Sequence, residues 1–218
     1  DAAGRRLRAR TFELTEFLVH VVGFARGDTG VPCTVALHTN CHARREMGVR
    51  TIFNLLGPLT NPASAPNQVL GVFSDQWVEP LAEVLQRLGS EHVFVVHAED
   101  GMDEISIGAP THVAELKEGR VRVFSVQPEQ FGLKRGDMSK LAVTSPAGSL
   151  KMIESVLNNE PGPAHDIVAF NAGAAIYVAG LAPDLGAGIK AAQAVIASGA
   201  AKKKLQDLVA LSRKLAAA

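Results

Sequence analysis

Cysteine is scarce: the 218 residues hold two, Cys33 and Cys41, which cannot make a disulfide framework. With His38 and His42 they fall in CTVALHTNCH, whose spacing matches none of the common zinc patterns, so no zinc site is expected there. Long apolar runs are lacking too. The longest near the start, Phe17 to Ala25 (FLVHVVGFA), is too short to span a bilayer and contains a histidine. Net charge is absent, with Lys+Arg and Asp+Glu at 22 each, so no basic field draws nucleic acid. The run Lys202-Lys203-Lys204 reads as a solvated helix face, because no aromatic or glycine pattern accompanies it. Arg5, Arg6, Arg8 and Arg10 imitate a targeting segment, but Glu13 and Glu16 intervene and no clear cleavage site follows. A soluble cytoplasmic protein with no membrane or nucleic-acid partner is the expectation.

What is present is aliphatic bulk. Apolar residues make up 47% of the chain and aromatics only 5%, which suits a helix-rich α/β domain with a real core. From residue 66 strand and helix signals alternate. Gln68 to Phe73 and His92 to His97 read as buried strands, and between them Trp77, Leu81, Leu85 and Leu88 recur at helical spacing. Ser74 or Asp75 is expected to cap that helix and Gly89 to end it. Thr111 to Leu116 and Val121 to Val126 flank Lys117-Glu118-Gly119-Arg120, a hairpin turn, so the sheet is expected to be mixed. After residue 145 the chain turns helical. Leu150, Ile153 and Leu157 share a face, Asp166 is expected to cap DIVAFNAGAAIYVAG, and Leu185 to Ala197 and Leu205 to Leu215 form terminal helices.

Two stretches stand out chemically. DGMDEIS, Asp100 to Ser106, places three carboxylates within five positions where the strand HVFVVH ends. It is either a solvated turn or a site for a hard cation. RREMGVRTIFNLLGPLTNP, residues 44–62, reads as a helix entering a rigid loop, since each X-Pro pair turns the preceding residue away from helix. Loops held by a scaffold are where binding sites collect, although a plain connection with solvated arginines fits the spacing equally.

RREMGVRTIFNLLGPLTNPA, QVLGVFS, LAEVLQRLGSEHVFVVHAEDGMDEIS, PEQFGL and GPAHDIVAFNAGAAIYVAG follow one another as in the anthranilate phosphoribosyltransferases of tryptophan biosynthesis, which the chain resembles from about Ala43 to its end. The resemblance implies a glycosyltransferase that moves the phosphoribosyl group of phosphoribosyl pyrophosphate to the amine of anthranilate and releases pyrophosphate. Its fold would be an incomplete large α/β domain of the nucleoside phosphorylase and phosphoribosyltransferase superfamily, a mixed central sheet flanked by helices. The resemblance further implies that Asp103 and Glu104 hold Mg²⁺ against the diphosphate, a preference that fits the ion's taste for oxygen ligands. Asp100 would shape the turn. Arg44 falls where the family meets the anthranilate carboxylate, and a guanidinium fork suits that planar group. Gly57 and Pro58 fall where it lines the anthranilate channel. No catalytic residue carries over, and for Arg45 and Arg50 helix-surface and phosphate-contacting roles both stay open.

Residues 1–42 show no such match, so the chain divides into an unassigned leader, 1–42, and a transferase α/β domain, 43–218. A translation out of frame is the favoured account of the leader, and a divergent segment is the other. The phosphate-cradling GTGGD loop and the KHGNR segment of the family do not occur in the sequence. Gly27-Asp28-Thr29-Gly30 and Gly186-Ala187-Gly188 are better read as turns. Weak or no transferase activity is therefore expected of this chain alone, and the homodimer of the family is not expected without its helical region. A nucleoside phosphorylase of the same superfamily is the nearest alternative, opposed by the Asp-Glu pair. A non-catalytic ligand- or nucleic-acid-binding paralogue is the other, opposed by Arg44, Asp103, Glu104 and the zero net charge.

Overall fold

The computed structural model describes residues 35–38, 58–59 and 65–216. Their five strands form one sheet whose spatial order is the chain order: β1 (Val35–His38), β2 (Asn67–Gly71), β3 (His92–Ala98), β4 (Thr111–Lys117) and β5 (Arg120–Val126). The first three are parallel, and β4 and β5 run antiparallel. This is the mixed sheet expected from the sequence. Five helices accompany it among the described residues: α1 (Val78–Arg87), α2 (Pro146–Leu157), α3 (Pro163–Val178), α4 (Leu185–Ala197) and α5 (Ala200–Ala216).

The strand period of two sorts side chains onto two covered faces. Leu70 of β2, Val93 and Val95 of β3, and Ala114 and Leu116 of β4 pack with Val78, Leu81, Ala82 and Leu85 of α1. The intervening Val69, Phe94, Val96 and Val113 join Phe170, Ile176, Ile189 and Ile196 of α3 and α4. Both faces of the central strands are thus buried, which is why HVFVVH is apolar throughout instead of alternating. α3 is buried from Ala169 to Ile176, as a helix between a sheet and another helix must be.

The β4–β5 turn has two residues, Glu118 and Gly119, both at positive φ (52° and 70°). That is the conformation whose twist matches the flanking strands of a hairpin. Four local expectations differ. A 3-10 turn, Asp75–Trp77, leads into α1, and neither Ser74 nor Asp75 caps that helix with its side chain. α3 starts at Pro163, not after Asp166, because proline needs no N–H at the first helical position. Asp166 lies inside that first turn, its N–H bonded to the Gly162 carbonyl at 3.0 Å. Leu88 is 61% exposed: it is the residue capping the end of α1, beyond Leu85, the last buried position of that helix. Leu150 is 53% exposed, and α2 buries only Val156 and Leu157.

Candidate functional site

β1, β2 and β3 point their carboxyl ends the same way, the side on which open α/β sheets take ligands. DGMDEIS leaves β3 on that side. The turn is tied first by backbone, with the Ala98 N–H donating to the Met102 carbonyl at 3.0 Å and Gly101 at φ 86°. Asp100 then shapes it: Oδ1 accepts the Met102 N–H at 3.3 Å, and Oδ2 accepts the Ser106 hydroxyl. Ser106 Oγ in turn accepts the Gly108 N–H at 2.8 Å, and the Ser106 N–H donates to Thr111 Oγ1 at 3.0 Å. Asp100 is therefore a turn-maker, as the sequence suggested.

Asp103 is 3% exposed, so the turn is not solvated at this residue, and Ile105 and Ile107 on its far side are in the core. Its backbone lies directly on Gly71 at the end of β2: a Cβ at Gly71 would run into the Asp103 carbonyl oxygen and stand 3.2 Å from the Asp103 Cβ. Only glycine leaves that cradle open. Glu104 is half-buried beside it. From behind, the stretch that includes PEQFGL braces the loop. The Gly136 N–H donates to the Ile107 carbonyl at 2.8 Å, and Arg135, paired with Glu129 at 2.8 Å, reaches the Gly108 carbonyl at 3.4 Å.

The donor set fits magnesium. Among the described residues, no three His, Cys, Asp or Glu side chains gather to enclose a metal by themselves. Two adjacent carboxylates at a strand end suit an ion that binds through one or two carboxylates and keeps water.

Other expected site residues are elsewhere. Arg44 and Gly57 lie outside the described residues, as do Arg45, Arg50, Cys33, Cys41 and His42. Pro58 is buried and lines a 220 Å³ cavity with Ala65, Pro66, Leu85 and Leu88. That cavity is at the amino end of β2, whereas Asp103 lies at its carboxyl end, so the structure does not bring the two together. Lys202 and Lys203 are exposed, as a solvated face requires, and bond Asn158 at 2.7 Å and Asp207 at 3.1 Å. No helix among the described residues is long and apolar enough to cross a membrane.

Sequence reasoning missed Asn171. From α3, its Oδ1 accepts the Ile105 N–H at 3.0 Å and its Nδ2 donates to the Ile105 carbonyl at 2.8 Å. The signal was an amide in the apolar run AFNAGAA, read there only as small-residue packing.

A mixed sheet covered by helices on both faces, with three parallel strands leading an antiparallel hairpin, defines an open-sheet α/β domain. The chain belongs to the glycosyl transferase family, a/b domain, whose family model matches residues 33–202. It is similar to the anthranilate phosphoribosyltransferase of Methylococcus capsulatus, with 66% identity over 174 residues, 80% of this chain and 51% of the relative. The alignment with the Alkalilimnicola ehrlichii enzyme of the same name, at 47% identity, runs over 216 residues, 99% of this chain and 63% of the relative. Among solved structures, the anthranilate phosphoribosyltransferase of Thermus thermophilus superposes with a TM-score of 0.68 at 44% identity, covering 80% of this chain and 51% of that one. The Saccharomyces cerevisiae enzyme in complex with PRPP and Mg gives 0.66 at 29% identity, covering 78% and 50%. The chain spans about half the length of most of the curated relatives it matches.

Proposed function

We propose that this chain supplies the magnesium-diphosphate half of an anthranilate phosphoribosyltransferase, acting in the cytoplasm on phosphoribosyl pyrophosphate and anthranilate. The observation that carries this reading is the buried Asp103 with Glu104, held over Gly71 where the parallel strands end. Similarity to a yeast relative solved with PRPP and Mg supports it. Asp103 and Glu104 would hold Mg²⁺, which when bound neutralises charge on departing pyrophosphate. The residues of this chain have their own tasks. Asp100 ties the turn that carries the carboxylate pair, Gly71 lets the loop lie close to the sheet, and Ile105 and Ile107 anchor its far end. Arg44 would receive the anthranilate carboxylate, and Gly57 and Pro58 would line the approach of its ring. These three roles rest on the motif RREMGVRTIFNLLGPLTNP. A homodimer, the assembly the resemblance implies for the family, is tested by the mass of the protein in solution.

Arg44→Ala tests the acceptor side, in an enzyme that also carries the GTGGD and KHGNR segments. A charged hydrogen-bonded pair is worth about 1.5–3 kcal/mol, so KM for anthranilate should rise roughly ten- to a hundred-fold. KM for phosphoribosyl pyrophosphate should move far less, and lysine should rescue only in part because a point charge lacks the fork. Steady-state kinetics with each substrate varied measure this. A loss falling mainly on phosphoribosyl pyrophosphate would make Arg44 a phosphate contact.

A further inference from the structure

Between Ala169 and Ile176 the side chains of α3 are apolar or absent except for that of Asn171, which is 9% exposed. Burying an amide is costly unless its hydrogen bonds are made, and here they are. Besides its two bonds to Ile105, Nδ2 donates to the Ile167 carbonyl one turn back at 3.0 Å. The two bonds to Ile105, at 3.0 and 2.8 Å, take both backbone groups of one residue, as a neighbouring strand would. Ile105 has left the sheet, is fully buried, and has no water to turn to. It also directly follows Glu104. The loop is therefore held on either side of its carboxylate pair, by Gly71 beneath Asp103 and by Asn171 on Ile105.

We propose that Asn171 is a positioning residue: by clamping the backbone at Ile105 it keeps the Asp103 and Glu104 carboxylates arranged to share a divalent cation with a diphosphate before either ligand arrives. This rests on the magnesium-diphosphate reading above and adds to it a residue 66 positions from Ile105 in sequence. Filling the core does not need an amide there, since an apolar side chain of like volume would do so without desolvating polar atoms. What the amide adds is a fixed backbone next to Glu104.

The test is calorimetric titration of the 218-residue chain with Mg²⁺ in the presence of pyrophosphate. It compares the unaltered protein, Asn171→Ala, and the double variant Asp103→Asn with Glu104→Gln. Removing a group that orients metal ligands typically weakens binding about 10–100-fold, and that loss is expected of Asn171→Ala with its circular dichroism unchanged. Unaltered affinity in a folded Asn171→Ala, alongside loss in the double variant, would overturn the positioning role and leave the magnesium reading standing. No binding by the unaltered chain would overturn both. Hydrogen exchange of the Ile105 amide in the unaltered chain gives a second reading that needs no variant. The clamp predicts equal protection with and without Mg²⁺ and pyrophosphate. A large gain on adding them would show that the ligand orders the loop, and would overturn the proposal.

Discussion

Gly188→Ala is expected to lower the melting temperature by about 4–8 °C, which corresponds to roughly 2 kcal/mol in a chain of this size. In α4, Gly188 lies against Gly173 of α3, and a Cβ there would strike the Gly173 carbonyl oxygen and stand 3.1 Å from its carbon. A Cβ on Gly173 would in turn meet the backbone nitrogen and Cα of Ile189, both at 2.6 Å. These are backbone atoms, so no rotamer change relieves the clash and the helices must separate. Two effects oppose each other. Alanine gains about 1 kcal/mol over glycine within a helix, while overpacking costs about 1–3 kcal/mol and sometimes more. The clash wins here because α3 and α4 bury their facing residues completely or nearly so, Ala172, Ala175 and Ile189 among them. Gly186→Ala in the same helix is the control. Its Cβ would meet only side-chain atoms, at 3.3 Å and beyond, so its melting temperature should stay near that of the unaltered chain. Differential scanning calorimetry of the two variants separates the accounts, and equal melting temperatures would refute close helix contact.

The second large effect belongs to Glu115 in β4, a carboxylate 3% exposed. Its Oε1 accepts from the Tyr177 hydroxyl at 2.7 Å and from His92 Nε2 at 3.1 Å, and its Oε2 accepts from Arg122 at 3.0 Å. A carboxylate only accepts, so His92 Nε2 carries the hydrogen. Burial pushes the carboxyl pKa up. The bonds from His92 and Tyr177, with the charges of His92 and Arg122, outweigh that and hold it down at about 2. Burial and the bond it gives to Glu115 also raise the Tyr177 phenol above its ordinary value. A carboxyl group depressed in the folded state stabilises above its unfolded pKa, and that contribution is lost as pH falls toward the folded value. The window therefore runs from the ordinary 4.5 down to about 2. Its size is on the order of 3 kcal/mol at neutral pH. Glu115→Gln keeps the volume and removes the charge; the Arg122 side chain is 68% exposed and returns to water, so the loss expected at pH 7 is that of the ionised carboxyl, about 3 kcal/mol. Urea unfolding across pH should show the variant much weaker at pH 7 and the gap closing as pH falls through that window. A gap constant from pH 7 to 2 would mean that Glu115 acts by shape alone.

Local signals made much of this fold legible. HVFVVH flanked by turn residues gave β3, the two-residue turn at Glu118 and Gly119 gave the hairpin, and Leu185 to Ala197 gave α4 to the residue. The acidic loop stood out because three acids in a strand-end loop are unusual in a chain only 20% charged, whereas the choice of Asp103 and Glu104 within it came from the family resemblance. What was hidden depends on contacts between distant segments. Nothing near Gly71 announces that Asp103 will lie on it, and Asn171 reads as one small residue among alanines until α3 is laid under Ile105. The Glu115 cluster was unreadable for the same reason, since His92, Arg122 and Tyr177 reach it from three different elements. The cap at Asp166 was misread because proline at Pro163 starts the helix more effectively than an aspartate one turn later stops the loop.

The central claim is that Asp103 and Glu104 take magnesium together with a diphosphate, and calorimetry of the 218-residue chain tests it most directly. Mg²⁺ should bind weakly alone and distinctly more tightly once inorganic pyrophosphate is present. Asp103→Asn with Glu104→Gln should abolish that gain while the fold persists. Titrations of the double variant indistinguishable from those of the unaltered chain would contradict the claim and return DGMDEIS to a purely structural turn.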